Sequence, residues 1–263
     1  GITNPVASGN GNINETLVNT TSNPINVIYQ YTITGPNPTA CSNVATVTVS
    51  VKPIPSLTSS TGPIAICSGT TFNYTPTTTT SGVINWTRAS VVGISESASS
   101  GTTSISEVLT NTTSSSKTVI YKIILPTNSS GCSKTIDLSV VVNPLPTASI
   151  SGTVSVCKND TNPLVVLTGA NGTAPYTFTY TINGGANQTI VSSIGNTASL
   201  TTSTAASGTK VYNLISVQDS STTSCSQLQT GTATVIVNPT PTLVVTQPAV
   251  VCAPNTVDIT ATT

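Results

Sequence analysis

The cysteines are the side chains of this 263-residue chain with the most chemistry to offer, and their spacing decides which chemistry. A thiolate can attack a carbonyl, bind a metal or close a disulfide. Attack needs a base, and the chain has no histidine. Structural zinc needs closely spaced pairs of the Cys-x-x-Cys kind, and none occurs. What recurs is one cysteine early and one late in each of two stretches: Cys67 with Cys132, and Cys157 with Cys225, 65 and 68 residues apart. Disulfides Cys67–Cys132 and Cys157–Cys225 are therefore expected, in an oxidising, extracellular setting. By the same spacing Cys41 pairs with a residue before Gly1, and Cys252 with one beyond Thr263. Geometry argues the other way. A disulfide needs Cα atoms within about 7 Å, and in a simple β-sandwich the first strand ends at the pole opposite the start of the last. Either the first strand is broken or shifted, or the pairs run elsewhere, such as Cys41–Cys67 or Cys132–Cys157 across the joins.

Other chemistry is thin. The carboxylates Glu15, Glu96, Glu107, Asp137, Asp160, Asp219 and Asp258 are scattered, with no close pair for glycoside hydrolysis. There is no Asp-x-Asp-x-Asp calcium loop and no glycine-rich phosphate cradle. Lys117, Lys122 and Lys134 offer amines for a Lys–Asn isopeptide crosslink, a minor reading that requires a buried carboxylate. Trp86, the one tryptophan, could stack on sugar, but its alternating strand favours the core. The Asn-x-Ser/Thr triplets at Asn73, Asn128 and Asn171 are what a chain rich in Thr and Asn produces by chance. No catalytic, cofactor-binding or metal residue is expected, and no cofactor. Lys plus Arg number 7 and Asp plus Glu 7, so no basic surface exists for nucleic acid or an anionic membrane. No apolar run reaches the ~18 residues of a membrane span, so no direct membrane insertion is expected.

The elements that position these residues are strands. Val27–Ile33, Val44–Val51, Val83–Thr87, Pro175–Ile182 and Gly231–Val237 alternate with a period of two, and no stretch shows a helical period. Three of the long strands run into a Pro-x-Pro: Pro53 with Pro55, Pro144 with Pro146, Pro239 with Pro241, spaced 91 and 95 residues apart. Proline lacks an N–H and fixes φ, so it ends strand pairing and stiffens the join. Glu15 and Tyr29 recur as Glu107 and Tyr121 at an offset of 92, and Cys41 as Cys132 at 91. A tyrosine precedes each late cysteine (Tyr29, Tyr121, Tyr212) and is expected in a core. The fold class is all-β: tandem β-sandwich domains joined by Pro-x-Pro linkers, with essentially no helix. The expected units are 1–52, the back part of a repeat; 53–143, a full repeat; 144–238, a full repeat of a divergent subtype; and 239–263, the opening of another.

In order along 53–143 stand Ile66-Cys67-Ser68-Gly69, Ile84-Asn85-Trp86-Thr87, Leu109-Thr110-Asn111-Thr112, Tyr121, Gly131-Cys132 and Val141-Val142-Asn143-Pro144-Leu145-Pro146. This set resembles the PKD-like, immunoglobulin-like repeats of giant gliding-motility surface adhesins of the Bacteroidetes group (the SprB type). The second repeat resembles a sister subtype through Val156-Cys157, Asn171-Gly172-Thr173-Ala174-Pro175-Tyr176-Thr177-Phe178 and Ile182-Asn183-Gly184-Gly185. The resemblance implies export by the type IX secretion system and extracellular display on the outer membrane. It implies a filament in which each repeat has neighbouring repeats of a longer chain as partners, together with the secretion and gliding machinery. Extracellular polysaccharide or a solid surface is the implied target, and no catalytic residue is implied. The function expected is a non-catalytic stalk for surface attachment and gliding. The alternatives are an accessory carbohydrate-binding array of a secreted enzyme and a self-assembling surface-layer protein.

Overall fold

β-Branched residues alternating with Thr and Ser favour extended chain with two unlike faces. Every element among the described residues is a strand. The computed structural model describes residues 1–3, 8–36, 38, 40–193, 195–245, 250, 252–253 and 261–262. The chain divides into two compact units, Gly1–Asn111 with Lys117–Val142, and Thr112–Ser116 with Asn143–Thr263.

In the first unit, β1 (Ile25–Thr34) and β2 (Ser42–Val51) form an antiparallel ribbon with Tyr29 opposite Val47. Then follow β3 (Ile64–Cys67), β4 (Thr70–Tyr74), β5 (Asn85–Arg88), β6 (Ser99–Thr102), β7 (Ile105–Leu109), β8 (Lys117–Ile124) and β9 (Thr135–Asn143). They make a five-stranded sheet, β3-β9-β8-β5-β6, and a two-stranded one, β4-β7. β8 and β9 place Tyr121 opposite Leu138, the register of Tyr29 and Val47. The offsets read from the sequence are thus structural equivalences. Asn111 Nδ2 donates to the Val142 carbonyl at 2.9 Å, and Asn19 Nδ2 to that of Val51 at 2.8 Å.

The core between the two sheets follows from the alternation. β8 buries Val119, Tyr121 and Ile123, and β9 buries Leu138, Val140 and Val142. Phe72 and Trp86 converge on Tyr121, with ring centroids 5.3 and 5.7 Å away. Each such side chain contributes about 1.5–3 kcal/mol by leaving water. Trp86 has room because Gly101 stands opposite it on β6. A Cβ there would lie 2.6 Å from the indole ring.

The second unit holds β10 (Thr147–Ser151), β11 (Val154–Cys157), β12 (Leu164–Ala170), β13 (Thr177–Ile182), β14 (Gln188–Val191), β15 (Thr197–Thr201), β16 (Gly208–Gln218), β17 (Ser226–Leu228) and β18 (Thr232–Asn238). β10-β12-β15 form one sheet, and β11-β18-β16-β13-β14, with β17 on β16, the other. The first strand is broken: β10 lies in one sheet and β11 in the other. Gly152 makes the crossing, with φ of 109° and no room for a side chain, since a Cβ would lie 2.4 Å from the Leu164 carbonyl. Phe178 and Tyr180 face the core as the alternation predicts. Thr181 is buried as well, out of step with the alternation of this strand, because the register with β16 shifts between Thr179 and Tyr180. Two further short strands, Val244–Val245 and Ala261–Thr262, pair near the end of the chain.

Candidate functional site

The cysteines sit where the strands end. Cys157 closes β11, which runs parallel to β18 and brings Cys157 opposite Asn238. Cys225 lies just before β17, whose Ser226 faces Gln218 at the far end of β16. The near end of β16, Gly208, faces Val237. The two cysteines of this repeat are therefore separated by the length of β16, roughly 30 Å at ~3.3 Å per residue. The preceding repeat is laid out likewise. Ser68, next to Cys67, accepts from the Asn111 N–H, and Asn111 reaches Val142 near the end of β9. Cys132 is held by Asn128 before β9 begins, its N–H donating to Asn128 Oδ1 at 3.0 Å.

The expected bonds Cys67–Cys132 and Cys157–Cys225 do not form. Cys132 and Cys157 are free thiols, as are Cys41 and Cys252, whereas Cys67 and Cys225 are disulfide-bonded. The reason is the polarity of the sandwich. Breaking the first strand moves its second half onto the last strand in parallel, which carries the early cysteine to the end of that strand, away from the late cysteine at its start.

The polar cluster that sequence reasoning missed is in the first unit. Arg88 on β5 is buried to 3% exposure and meets Glu107 on β7, Nε to Oε2 at 2.9 Å. Arg88 also donates to the Ser97 carbonyl at 2.7 Å, and the Tyr121 hydroxyl donates to Glu107 at 2.6 Å. Burial alone would raise the Glu107 carboxyl; the hydrogen bonds from Arg88, Tyr121 and Ser99 outweigh it and hold it below the usual range. Glu96 is lowered too, its desolvation outweighed by bonds from the Thr110 N–H and the Ser95 hydroxyl. Burial, with the bond to Glu107, pushes the Tyr121 phenol up. The earlier copy keeps the pair: the Tyr29 hydroxyl donates to Glu15, which raises Tyr29 to about 12. The shared offset of Glu and Tyr was the available signal. The cluster is closed by its own partners and offers no group to a substrate.

The remaining candidates resolve into structure. Trp86 is buried, with Nε1 donating to the Ser104 carbonyl at 3.2 Å. Tyr121 and Tyr212 are core residues, the latter bonded to Thr202 at 2.7 Å. Lys122 pairs with Asp137 at the surface, and Lys134 is exposed, so neither meets the buried carboxylate that an isopeptide requires. Pro53 and Pro55, Pro144 and Pro146, and Pro239 and Pro241 follow the ends of β2, β9 and β18. Asp258 lies outside the described residues. Among the described residues no group of three or more His, Cys, Asp and Glu gathers to hold a metal ion.

An open groove of about 300 Å³ is lined by Ile13, Glu15, Leu17, Tyr29, Tyr31, Val47 and Val49. The offsets turn these into Ile105, Glu107, Leu109, Tyr121, Ile123, Leu138 and Val140. Every apolar member of that set is buried, in a core that Phe72, Ile84 and Trp86 help to form. The groove is an uncovered core face and not a ligand pocket.

No curated protein matches the sequence. Among solved structures, a 1.5-MDa bacterial ice-binding adhesin is 18% identical, over 70% of this chain and 65% of that one, with a TM-score of 0.34. A Ca2+-stabilized adhesin of an Antarctic bacterium is 12% identical, over 84% and 60%, with a TM-score of 0.34. The I67–I69 fragment of titin is 11% identical, over 86% and 85%, with a TM-score of 0.38. The chain thus spans less than two thirds of either adhesin structure, and scores this low carry no argument about function. Residues 64–146 match the PKD-like domain family. With the sheet order, that match makes this repeat a PKD-like, immunoglobulin-like β-sandwich.

Proposed function

We propose that the chain is a non-catalytic, load-bearing stretch of stalk in a large extracellular adhesin. The observation that supports this is the way each sandwich is closed. β11 lies parallel to β18, from Val154 opposite Val235 to Cys157 opposite Asn238, and β3 adjoins β9 at the sheet edge. Tension enters a repeat at its first strand and leaves at its last. Two parallel strands pulled from opposite ends slide along each other, so their hydrogen bonds bear load together instead of opening one by one. The main chain of Lys158 adds a bond to the Asn238 carbonyl at 2.8 Å.

The aromatics support the stalk over a carbohydrate-binding array. Trp86, Phe72 and Phe178 are all spent on cores, whereas sugar platforms need exposed rings. The finer reading, which rests on the resemblance to gliding adhesins, is export through the type IX system and carriage along the cell surface. Neighbouring repeats are then the partners along the chain, and polysaccharide or a solid surface the target at its tip.

The test is to pull single molecules by their two termini. Cooperative force peaks are expected, and the peak of the second repeat drops when Val156→Pro places a proline in β11. Extension without peaks overturns the load-bearing reading.

A further inference from the structure

We infer that the open face of the β1–β2 ribbon is a docking site for an extended segment that carries an aromatic ring and an arginine two residues apart on one side of a strand, the chemistry of Trp86 and Arg88. Among the described residues β1 and β2 pair only with each other. The outer edge of β1 therefore presents unpaired backbone donors and acceptors along an element of ten residues. Such an edge is a template for strand addition.

The later copy of this face shows what it takes. There β8 receives β5 on its outer edge, with Trp86 opposite Ile123 and Arg88 opposite Tyr121. β7 receives β4, with Phe72 opposite Glu107. Phe72 and Trp86 close over Tyr121, and Arg88 closes on Glu107 at 2.9 Å. The offsets of 92 and 91 carry this acceptor onto the ribbon residue by residue. Ile105, Ile123 and Leu138 are 1%, 0% and 0% exposed, whereas their counterparts Ile13, Tyr31 and Val47 are 47%, 40% and 49% exposed. A docked strand in the same register places its aromatic ring opposite Tyr31 and its arginine opposite Tyr29.

Charge selects the occupant. The Tyr29 hydroxyl donates to Glu15 as Tyr121 donates to Glu107, so the carboxylate is already aimed. Glu107 holds Arg88, but among the described residues no cation pairs with Glu15. An uncharged strand laid on this face would take water from that carboxylate and give nothing back, which is costly. A strand with arginine opposite Tyr29 meets it. The inference stands on the equivalence of the two copies and does not rest on the adhesive role.

The test is to titrate the full chain into a fluorescent peptide with the sequence of residues 68–104 and to read its anisotropy. Saturable binding is expected. Val47→Asp puts a charge on the face at a position that is 49% exposed, and is expected to abolish binding without unfolding the chain. Glu15→Gln keeps an acceptor for Tyr29 and removes the charge; it is expected to weaken binding about ten-fold or more. Arg88→Met in the peptide is expected to do the same, and the two changes together to cost little more than either alone. A peptide that entered the first full repeat instead would be unmoved by Val47→Asp. Absent binding, binding that survives Val47→Asp, or additive losses from the two charge changes overturns the proposal. A chain that dimerises through this face, excludes the peptide and dissociates on Val47→Asp overturns it as well.

Discussion

Replacing Arg88 by Met tests whether the first full repeat is held by a buried charge cluster. The guanidinium has 1% side-chain exposure and Glu107 has 15%. Removing the cation leaves a carboxylate with little water and only the Tyr121 and Ser99 donors, and strips the Ser97 carbonyl of its 2.7 Å partner. Breaking a buried pair from one side costs about 3–5 kcal/mol, against at most about 1 kcal/mol for an exposed pair. Trp86 makes the measurement specific, because it is the only tryptophan and packs against Tyr121 in the same core. Its emission in the full chain reports this repeat and no other. Urea is the right denaturant because it does not screen the pair. With a slope of about 1 kcal/mol per molar, the midpoint falls by roughly 3 M. The double variant Arg88→Met, Glu107→Leu recovers most of the loss, because an apolar pair of similar volume can replace a buried ion pair. A single-variant loss below about 1 kcal/mol refutes the reasoning, since the pair would then behave as a solvated one.

Acid should unfold the same repeat early. Glu107 and Glu96 are held below their usual range in the folded state, so their contribution is complete above the unfolded carboxylate pKa of about 4.3. It is lost as pH falls through their folded values. The Trp86 urea midpoint should stay level from about pH 8 to 5 and drop below about pH 4, less steeply in Arg88→Met; a decline on the alkaline side contradicts this. Gly101→Ala places a Cβ within 2.6 Å of an indole pinned by its bond to Ser104. Overpacking of this kind costs about 1–3 kcal/mol, so the midpoint should fall and the Trp86 emission should shift; an unchanged midpoint would mean that the ring is free to move.

The strands were legible because burial has a period of two. Val119, Tyr121 and Ile123 alternate in the sequence and in the core. The same alternation in β1 leaves Tyr31 and Ile33 exposed, which shows its limit: pattern specifies a face and not what covers it. The Arg88 cluster was half legible. Glu and Tyr recur 14 residues apart in both copies, but nothing in the sequence says that Arg88, two residues after Trp86, turns inward to join them. The divergent repeat confirms that this is a local solution. It holds Tyr212 with Thr202 instead, and it ties its Tyr176 hydroxyl to both the N–H and the carbonyl of Gly172.

The cysteines were misread for a reason that applies to any tandem sandwich. Equal spacing within repeats suggests pairs within repeats, because spacing is measured along the chain. A broken first strand changes the geometry without changing the spacing. At Gly152 the chain crosses to the other sheet and runs parallel to the strand that ends the repeat, so early and late cysteines part by a whole domain length. The crossing that carries the early cysteine to the repeat's exit also creates the parallel pair on which the proposed load-bearing role rests. The parting of the two cysteines and the parallel strand pair are thus two consequences of one local event, in which glycine takes a backbone conformation that residues with side chains rarely adopt. Gly152→Val tests that link. The side chain would collide with the Leu164 backbone, so β11 should lose its pairing and the force peak of this repeat should fall. An undiminished force peak would show that the parallel pair does not carry the load.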